Sequence, residues 1–266
     1  MNRIIKILLL LILAITGCES EEILTQEIQY REKVVVQSEI ISNSKFTGVR
    51  ITKTLPIGVP FTIETAEIKN ASVYLRIDFV KIIPLHYDAN GIYKPLYDLY
   101  VSEGEHYELF GEADNKRFYA VTKIPLSPQV ESTSFNYNGF FATAIVQAKD
   151  EECYAALWTV DDGLFKSAPD YFEVIAPAKT GIGNFVQVRS SQFPVEYQNN
   201  QYNGKRYIKV FALDQSFSTY FYTKSGNQSI NNPYVQGVGE TVWNVIGEDV
   251  IGMFIGLSKG SLILVN

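Results

Sequence analysis

The best match to a catalytic motif is the segment Gly-Leu-Ser-Lys-Gly at residues 256–260, which fits the G-x-S-x-G pattern around a serine nucleophile. In that arrangement a histidine follows the serine, but His86 and His106, the two histidines of the chain, both precede Ser258. Only six residues follow Gly260, which is too few for the helix that the motif requires. We therefore expect a glycine-rich hairpin turn here, and a hydrolase with an unrecognised site remains an alternative.

The spacing of the histidines and of the adjacent acidic residues does not favour a metal site or acid–base catalysis. His86 and His106 each lie beside a tyrosine in strand-like sequence and are not spaced as a ligand pair. Adjacent acids such as Asp161 and Asp162 would point to opposite faces of a strand. We therefore predict no catalytic residue, no metal site, no cofactor and no enzymatic activity.

The cysteine near the N-terminus has a more specific setting. Arg3 and Lys6 precede an apolar run of nine residues, 7–15, which is shorter than the roughly 20 residues that span a bilayer. This order is typical of a secretory signal. The run ends in Ile-Thr-Gly-Cys, which resembles the lipobox of bacterial lipoproteins, in which the cysteine thiol accepts a diacylglycerol. We predict a signal peptide over residues 1–17, cleavage after Gly17 and lipidation of Cys18; an ordinary signal peptide is the alternative.

An acidic segment follows the cysteine directly, and we expect residues 18–29 to form a solvated tether. Its first residues after Cys18 are Glu19, Ser20, Glu21 and Glu22. Acid-rich segments at this place resemble the surface-export signal of Bacteroidota lipoproteins. The sequence therefore predicts a lipid-anchored protein of the outer membrane, held by its acylated Cys18 and displayed at the cell surface.

The charge of the mature chain disfavours nucleic-acid binding. Loss of Arg3 and Lys6 lowers the number of basic residues from 23 to 21, against 29 acidic residues, so that the net charge is −8. A chain with this excess of acid has no surplus cations to neutralise phosphates. Once Cys18 carries lipid, Cys153 is the remaining cysteine, and no disulfide can form within the chain.

Short alternating segments predict an all-β protein. In residues 70–80, one face of a half-buried strand would carry Val73, Leu75, Ile77 and Phe79. The segment Ile-Pro-Leu-Ser-Pro, 124–128, interrupts the pattern, and we place a domain boundary there, between 30–125 and 126–266. Residues 140–149 and 153–160 are apolar on both faces, which is typical of interior strands. A short helix is expected after Asp214, with Phe217, Tyr220 and Phe221 on one face.

Aromatic residues are numerous, with 17 tyrosines and 16 phenylalanines, and most are expected in cores and cross-strand contacts. Three tyrosines lie among asparagine and glutamine in loop-like sequence. We predict these as exposed contacts for a ligand or partner: Tyr197, Tyr202 and Tyr234.

An ordered set of segments spans most of the mature chain. The first are 33–40, 68–77, 104–110 and 117–125, and the last are 207–223 and 232–258, where particular places are held by Asn244, Ile246, Gly247, Phe254 and Gly256. This set resembles the domain-of-unknown-function 4249 family of Bacteroidota outer-membrane lipoproteins. The resemblance implies an N-terminal immunoglobulin-like β-sandwich followed by a second β-rich domain with one short helix. It also implies service beside a TonB-dependent transporter.

The leading hypothesis for function is therefore a non-enzymatic accessory binding protein of the outer membrane, whose small-molecule or glycan ligand the sequence does not identify. The alternative is a structural or adhesion lipoprotein of the cell envelope. A hydrolase is the second alternative.

Overall fold

The computed structural model describes residues 30–161, 163–167, 172, 175–177, 184–199, 201–226 and 241–265. The predicted signal peptide, Cys18 and the acidic tether lie outside these residues. No helix among the described residues is long and apolar enough to cross a bilayer.

Residues 34–123 form a β-sandwich. The elements are β1 (Val34–Ile41), β2 (Val49–Lys53), the short helix α1 (Ile63–Ala66), β3 (Ser72–Ile77), β4 (Lys81–Tyr87), β5 (Ile92–Lys94), β6 (His106–Ala113) and β7 (Lys116–Lys123). One sheet has the order β1-β2-β5 and the other has the order β4-β3-β6-β7, and β4 continues from one sheet into the other by pairing with β5.

The alternation in β3 places its apolar side chains in the core of this sandwich. Val73, Leu75 and Ile77 are buried, as predicted. Phe79 differs from the prediction, because the strand ends at Ile77. Asp78 and Phe79 adopt positive φ in the turn to β4, so that the Phe79 ring is 58% exposed.

The later described residues form another sandwich. The elements are β8 (Val130–Asn136), β9 (Phe141–Gln147), β10 (Glu152–Asp161), β11 (Phe165–Ser167), β12 (Ala176–Pro177), β13 (Phe185–Arg189), a 3₁₀ turn (Val195–Tyr197), β14 (Lys205–Asp214), α2 (Ser216–Gly226) and β15 (Val250–Leu264). The sheet orders are β8-β9-β13 and β11-β10-β14-β15. The all-β prediction is confirmed, and so is the helix after Asp214.

The two sandwiches share one topology. In each, the first, second and fifth strands form one sheet, and the fourth, third, sixth and seventh form the other, when the two-residue β12 is set aside. This is an arrangement of the immunoglobulin-like type, in which hairpins and crossovers alternate between two packed sheets. The described residues therefore contain the same seven-stranded arrangement twice in tandem.

Strand β15 belongs to both sandwiches. Residues 250–257 pair in parallel with β1, and residues 257–264 pair in antiparallel fashion with β14. Gly252 permits the first pairing, because its φ is +150° and a Cβ atom there would lie 1.8 Å from the carbonyl oxygen of Val36. Residues 124–129 separate the strands of the two sandwiches in sequence, while the last strand returns to the first sandwich. The domain boundary after residue 125 stays a prediction.

Strand β10 is covered on both faces, which agrees with its double-sided apolar sequence. Tyr154 and Trp158 face the core between the two sheets of the second sandwich. Cys153 points to the opposite face of the sheet, into a third hydrophobic cluster beside the two sandwich cores. This cluster also contains Ile175, Phe211, Leu213 and Leu257, and Phe217 and Phe221 of α2 pack against it. Helix α2 is thereby fixed on the outer face of the sheet.

Candidate binding groove

A groove crosses the outer face of the first sheet. Its floor contains a row of residues in register across four strands: Met253 of β15, Gln37 of β1, Arg50 of β2 and Ile92 of β5. The paired residues Glu39 of β1 and Ile255 of β15 complete the floor. The volume is about 570 Å³, which lies within the range of small-ligand sites. The outward direction of Gln37 and Arg50 follows from the period of two, since Val36 and Ile51 point into the core.

Opposite charges lie side by side on this floor. Glu39 is two residues after Gln37 on β1, so it shares the outer face and lies diagonally from Arg50. Both side chains are exposed, and neither forms an ion pair or hydrogen bond within the described part of the chain. The groove therefore presents a carboxylate and a guanidinium group that do not neutralise each other.

Aromatic rings form the wall of the groove. Phe217 and Tyr220 come from α2, and Trp243 comes from the segment before β15. The rings of Tyr220 and Trp243 are 5.2 Å apart, and those of Phe217 and Tyr220 are 5.9 Å apart. The result is a site with an apolar side and a polar, charged floor.

Asp214 fixes the start of the helix that carries this wall. Its Oδ1 accepts hydrogen bonds from the backbone N–H of Ser216 at 2.9 Å and from the Ser216 hydroxyl at 2.6 Å, as expected for a helix start. Its Oδ2 accepts bonds from the Thr122 hydroxyl and the Lys123 N–H, both at 3.1 Å. One carboxylate thus ties α2 to strand β7 of the first sandwich.

Asn244 holds the other part of the wall. Its side-chain amide pairs with the backbone of Phe254, and its Nδ2 also lies 3.3 Å from the Ser216 Oγ. Because Trp243 immediately precedes Asn244, this clamp positions the indole ring beside α2.

A neighbouring cavity of about 400 Å³ shares Glu39 with the groove. Lys209 and Lys259 line it, together with apolar residues such as Phe172 and Leu257. The rings of Phe172 and Phe217 are 6.4 Å apart at the junction. Positive charge therefore lies on both sides of Glu39.

The three tyrosines predicted as exposed contacts have different outcomes. Tyr197 is only 6% exposed and packs against Trp158 and Tyr202, so the expectation of an exposed ring is wrong there. Tyr202 is half-buried, with the Arg206 guanidinium 5.0 Å from its ring centre. Tyr234 lies outside the described residues. The loop-like composition around Tyr197 conceals a 3₁₀ turn that directs the ring into the second core.

The serine motif is part of a strand. Residues 256–260 all belong to β15, so the predicted hairpin turn is wrong at this place. Ser258 is fully buried, and its hydroxyl donates a hydrogen bond to the carbonyl oxygen of Pro125. The rings of His106 and Phe79 are 5.5 Å apart and tilted by 35°. No group of three metal-ligating side chains occurs among the described residues.

Sequence reasoning did not identify Gln37, Glu39, Arg50 or Trp243 as site residues. Gln37 and Glu39 could have been identified from the alternation of polar and apolar residues within segment 34–41. No local pattern could have brought Trp243 beside them, since that contact depends on the pairing of β15 with β1.

The comparisons with known proteins identify the family. A family model described as "Domain of unknown function (DUF4249)" matches residues 21–263, which is most of the chain. The chain belongs to the DUF4249 family. Three of the residues on which the resemblance depends have clear structural roles. The Asn244 side chain forms hydrogen bonds with the backbone of Phe254. Cβ atoms on Gly247 and Gly256 would lie 2.3 Å and 2.6 Å from the carbonyl oxygens of Arg117 and Lys123 in β7.

Other comparisons add little to the DUF4249 assignment. No curated protein matches the chain. A solved structure described as "Cytokine receptor complex - Crystal form 1A" is 12% identical and covers 71% of this chain and 86% of its own. Its TM-score is 0.23, which is too low to support an argument about fold or function.

Proposed function

We propose that this chain is a lipid-anchored lipoprotein of the Bacteroidota outer membrane that acts as a non-enzymatic accessory binding protein. Cys18 carries the lipid, and the acidic tether displays the two sandwiches at the cell surface, beside a TonB-dependent transporter. The observation that carries the binding role is the groove, with its aromatic wall and with Glu39 and Arg50, which form no ion pair with any residue that the structure describes.

The order of residues around Cys18 supports the anchor. A short positive segment, nine apolar residues and a small residue directly before the cysteine together match a lipoprotein signal. Several acyl chains hold a protein on a bilayer durably, since each buried methylene contributes about 0.8 kcal/mol. The other cysteine, Cys153, is buried in the third cluster and is not a candidate for this modification.

Metabolic labelling with an alkyne fatty acid tests the anchor in native cells. The full-length chain should incorporate the label, and mass spectrometry should find the lipid on an N-terminal Cys18. Cys18→Ala should abolish the label, whereas the matched control Cys153→Ala should retain it. An unmodified Cys18 thiol, or a product that still carries residues 1–17, would contradict the proposal.

Affinity purification from native outer membranes tests the partner. Co-purification of a TonB-dependent transporter supports the accessory role. Recovery of surface polymer or other envelope proteins without a transporter would favour the structural or adhesion lipoprotein. Turnover of glycans, peptides or esters by the purified chain would contradict the non-enzymatic role.

A further inference from the structure

The geometry points to a ligand class for the groove: a short peptide of two or three residues with a free N-terminus and a free C-terminus. Arg50 binds the terminal carboxylate, Glu39 binds the terminal ammonium group, and the wall around Trp243 receives an apolar side chain. This inference rests on the proposed binding role.

The charges on the floor favour a zwitterionic ligand. Glu39 and Arg50 are exposed, lie on one face of neighbouring strands, and have no ion-pair partner among the described residues. A ligand that displaces water from the floor must replace the hydration of both groups. A zwitterion satisfies both at once, because the guanidinium can bind a carboxylate through two hydrogen bonds and the carboxylate can bind an ammonium group.

The positions of Glu39 and Arg50 on their strands suit a short chain. Diagonal neighbours across antiparallel strands have Cα atoms about 7–8 Å apart. An extended peptide advances at most about 3.6 Å per residue, so two or three residues place their termini at this separation. Gln37 lies opposite Arg50 on the same face, where its amide can donate to and accept from a peptide group of the ligand.

The wall supplies the apolar complement. Phe217, Tyr220 and Trp243 line one side, and Met253 and Ile255 lie on the floor beneath them. A groove of about 570 Å³ accommodates a peptide with one large side chain. An aromatic residue in the peptide would gain both apolar burial and ring contacts with Trp243.

A neutral oligosaccharide fits this floor less well. It could stack on the aromatic wall, but it would cover Glu39 and Arg50 without supplying an opposite charge to either. Burying an ionised group without a partner is costly, which favours the zwitterionic ligand. Lys209 and Lys259, on the far side of Glu39, make an acidic peptide the second competitor to be tested.

Calorimetric titration of the full-length chain, purified from native cells, tests the ligand class. The probes are Ala-Phe-Ala, its N-acetyl form, its C-terminal amide, cellotriose and Asp-Phe-Asp. We expect Ala-Phe-Ala to bind, and each blocked form to bind at least about tenfold more weakly, because each loses one charged hydrogen bond.

Two substitutions assign the termini. Arg50→Met should weaken Ala-Phe-Ala binding and remove the difference between the free acid and the amide. Glu39→Gln should remove the difference between the free and acetylated N-terminus. Such loss of sensitivity reports a direct pair, which a general structural effect would not produce. Arg117→Met and Glu64→Gln, which alter exposed residues away from the groove, should leave all affinities unchanged.

The outcomes separate this inference from the proposed function. Binding of cellotriose without binding of Ala-Phe-Ala, tighter binding of Asp-Phe-Asp, or equal binding of blocked and free peptides would overturn the peptide assignment. Absence of binding by every probe would overturn it as well. Lipid on Cys18 and a co-purified transporter would still support the accessory role in each of these cases.

Discussion

The side chain of Asn244 pairs with the backbone of Phe254 as a neighbouring strand would. Its Oδ1 accepts the Phe254 N–H at 2.8 Å, and its Nδ2 donates to the Phe254 carbonyl oxygen at 2.6 Å. Phe254 is fully buried in the first core. An amide is suited to this place because it offers a donor and an acceptor side by side.

Replacement of Asn244 by alanine should therefore destabilise the protein. Asn244→Ala leaves the N–H and the carbonyl oxygen of Phe254 without these partners, and we expect the free energy of unfolding to fall by about 2 kcal/mol. Urea denaturation measures this change. Asn203→Ala, at an exposed loop residue, is the matched control, and equal stability of the two variants would refute the structural role of the clamp.

Gly256 should not tolerate a side chain. A Cβ atom there would lie 2.6 Å from the carbonyl oxygen of Lys123, where β15 passes β7. We expect Gly256→Ala to lower the free energy of unfolding by about 1–3 kcal/mol through overpacking. Thermal and urea denaturation check the loss against Ser261→Ala, an exposed change on the same strand, which should have little effect.

The ion pair between Arg76 and Glu108 should make stability depend on pH. Hydrogen bonding to Arg76, and then to Tyr119, lowers the pKa of Glu108 below its usual value of 4.5. A lowered folded-state pKa stabilises the protein above the unfolded-state value, and this contribution is lost as the pH falls through the folded-state pKa. Arg76→Met should therefore lower stability at pH 7, with a difference from wild type that shrinks below about pH 4.

Unfolding curves at several pH values test this expectation. Arg117→Met provides the matched control, because Arg117 pairs with Glu112 on the neighbouring strand, but both side chains are exposed. Exposed pairs contribute little, so this variant should resemble wild type at every pH. A pH-independent loss in Arg76→Met would show that packing, not the charge pair, accounts for the effect.

Cys153 should be unreactive in the folded protein. Burial raises the pKa of its thiol to about 12, so almost no thiolate exists near neutral pH. We expect no alkylation of Cys153 by iodoacetamide at pH 8 under native conditions and complete alkylation in urea, as measured by peptide mass mapping. Rapid native alkylation would mean that the third cluster opens readily.

Local patterns determined much of the secondary structure. The alternation of Val73, Leu75 and Ile77 predicts a half-buried strand, because side chains of a strand point to alternate faces, and the helix after Asp214 follows from capping and one aromatic face. The all-β class needed no long-range information. The match of residues 21–263 to the family agrees with the resemblance in the sequence.

Other features depend on contacts between distant parts of the chain. The glycines of residues 256–260 suggest a turn, but pairing with β1 and β14 keeps this segment in one long strand. Tyr197 has polar neighbours in sequence, yet the 3₁₀ turn places it against Trp158.

The groove depends most clearly on contacts between distant parts of the chain. Its floor combines Gln37 and Arg50, from early in the chain, with Met253 from β15. Its wall combines α2, which follows the sixth strand of the second sandwich, with Trp243 from the segment before β15. The sequence by itself determined the all-β class and the buried face of a strand such as β3, since that information has a period of two residues. Only the tertiary structure decided which strands meet, because register between distant strands depends on the packing of both cores together.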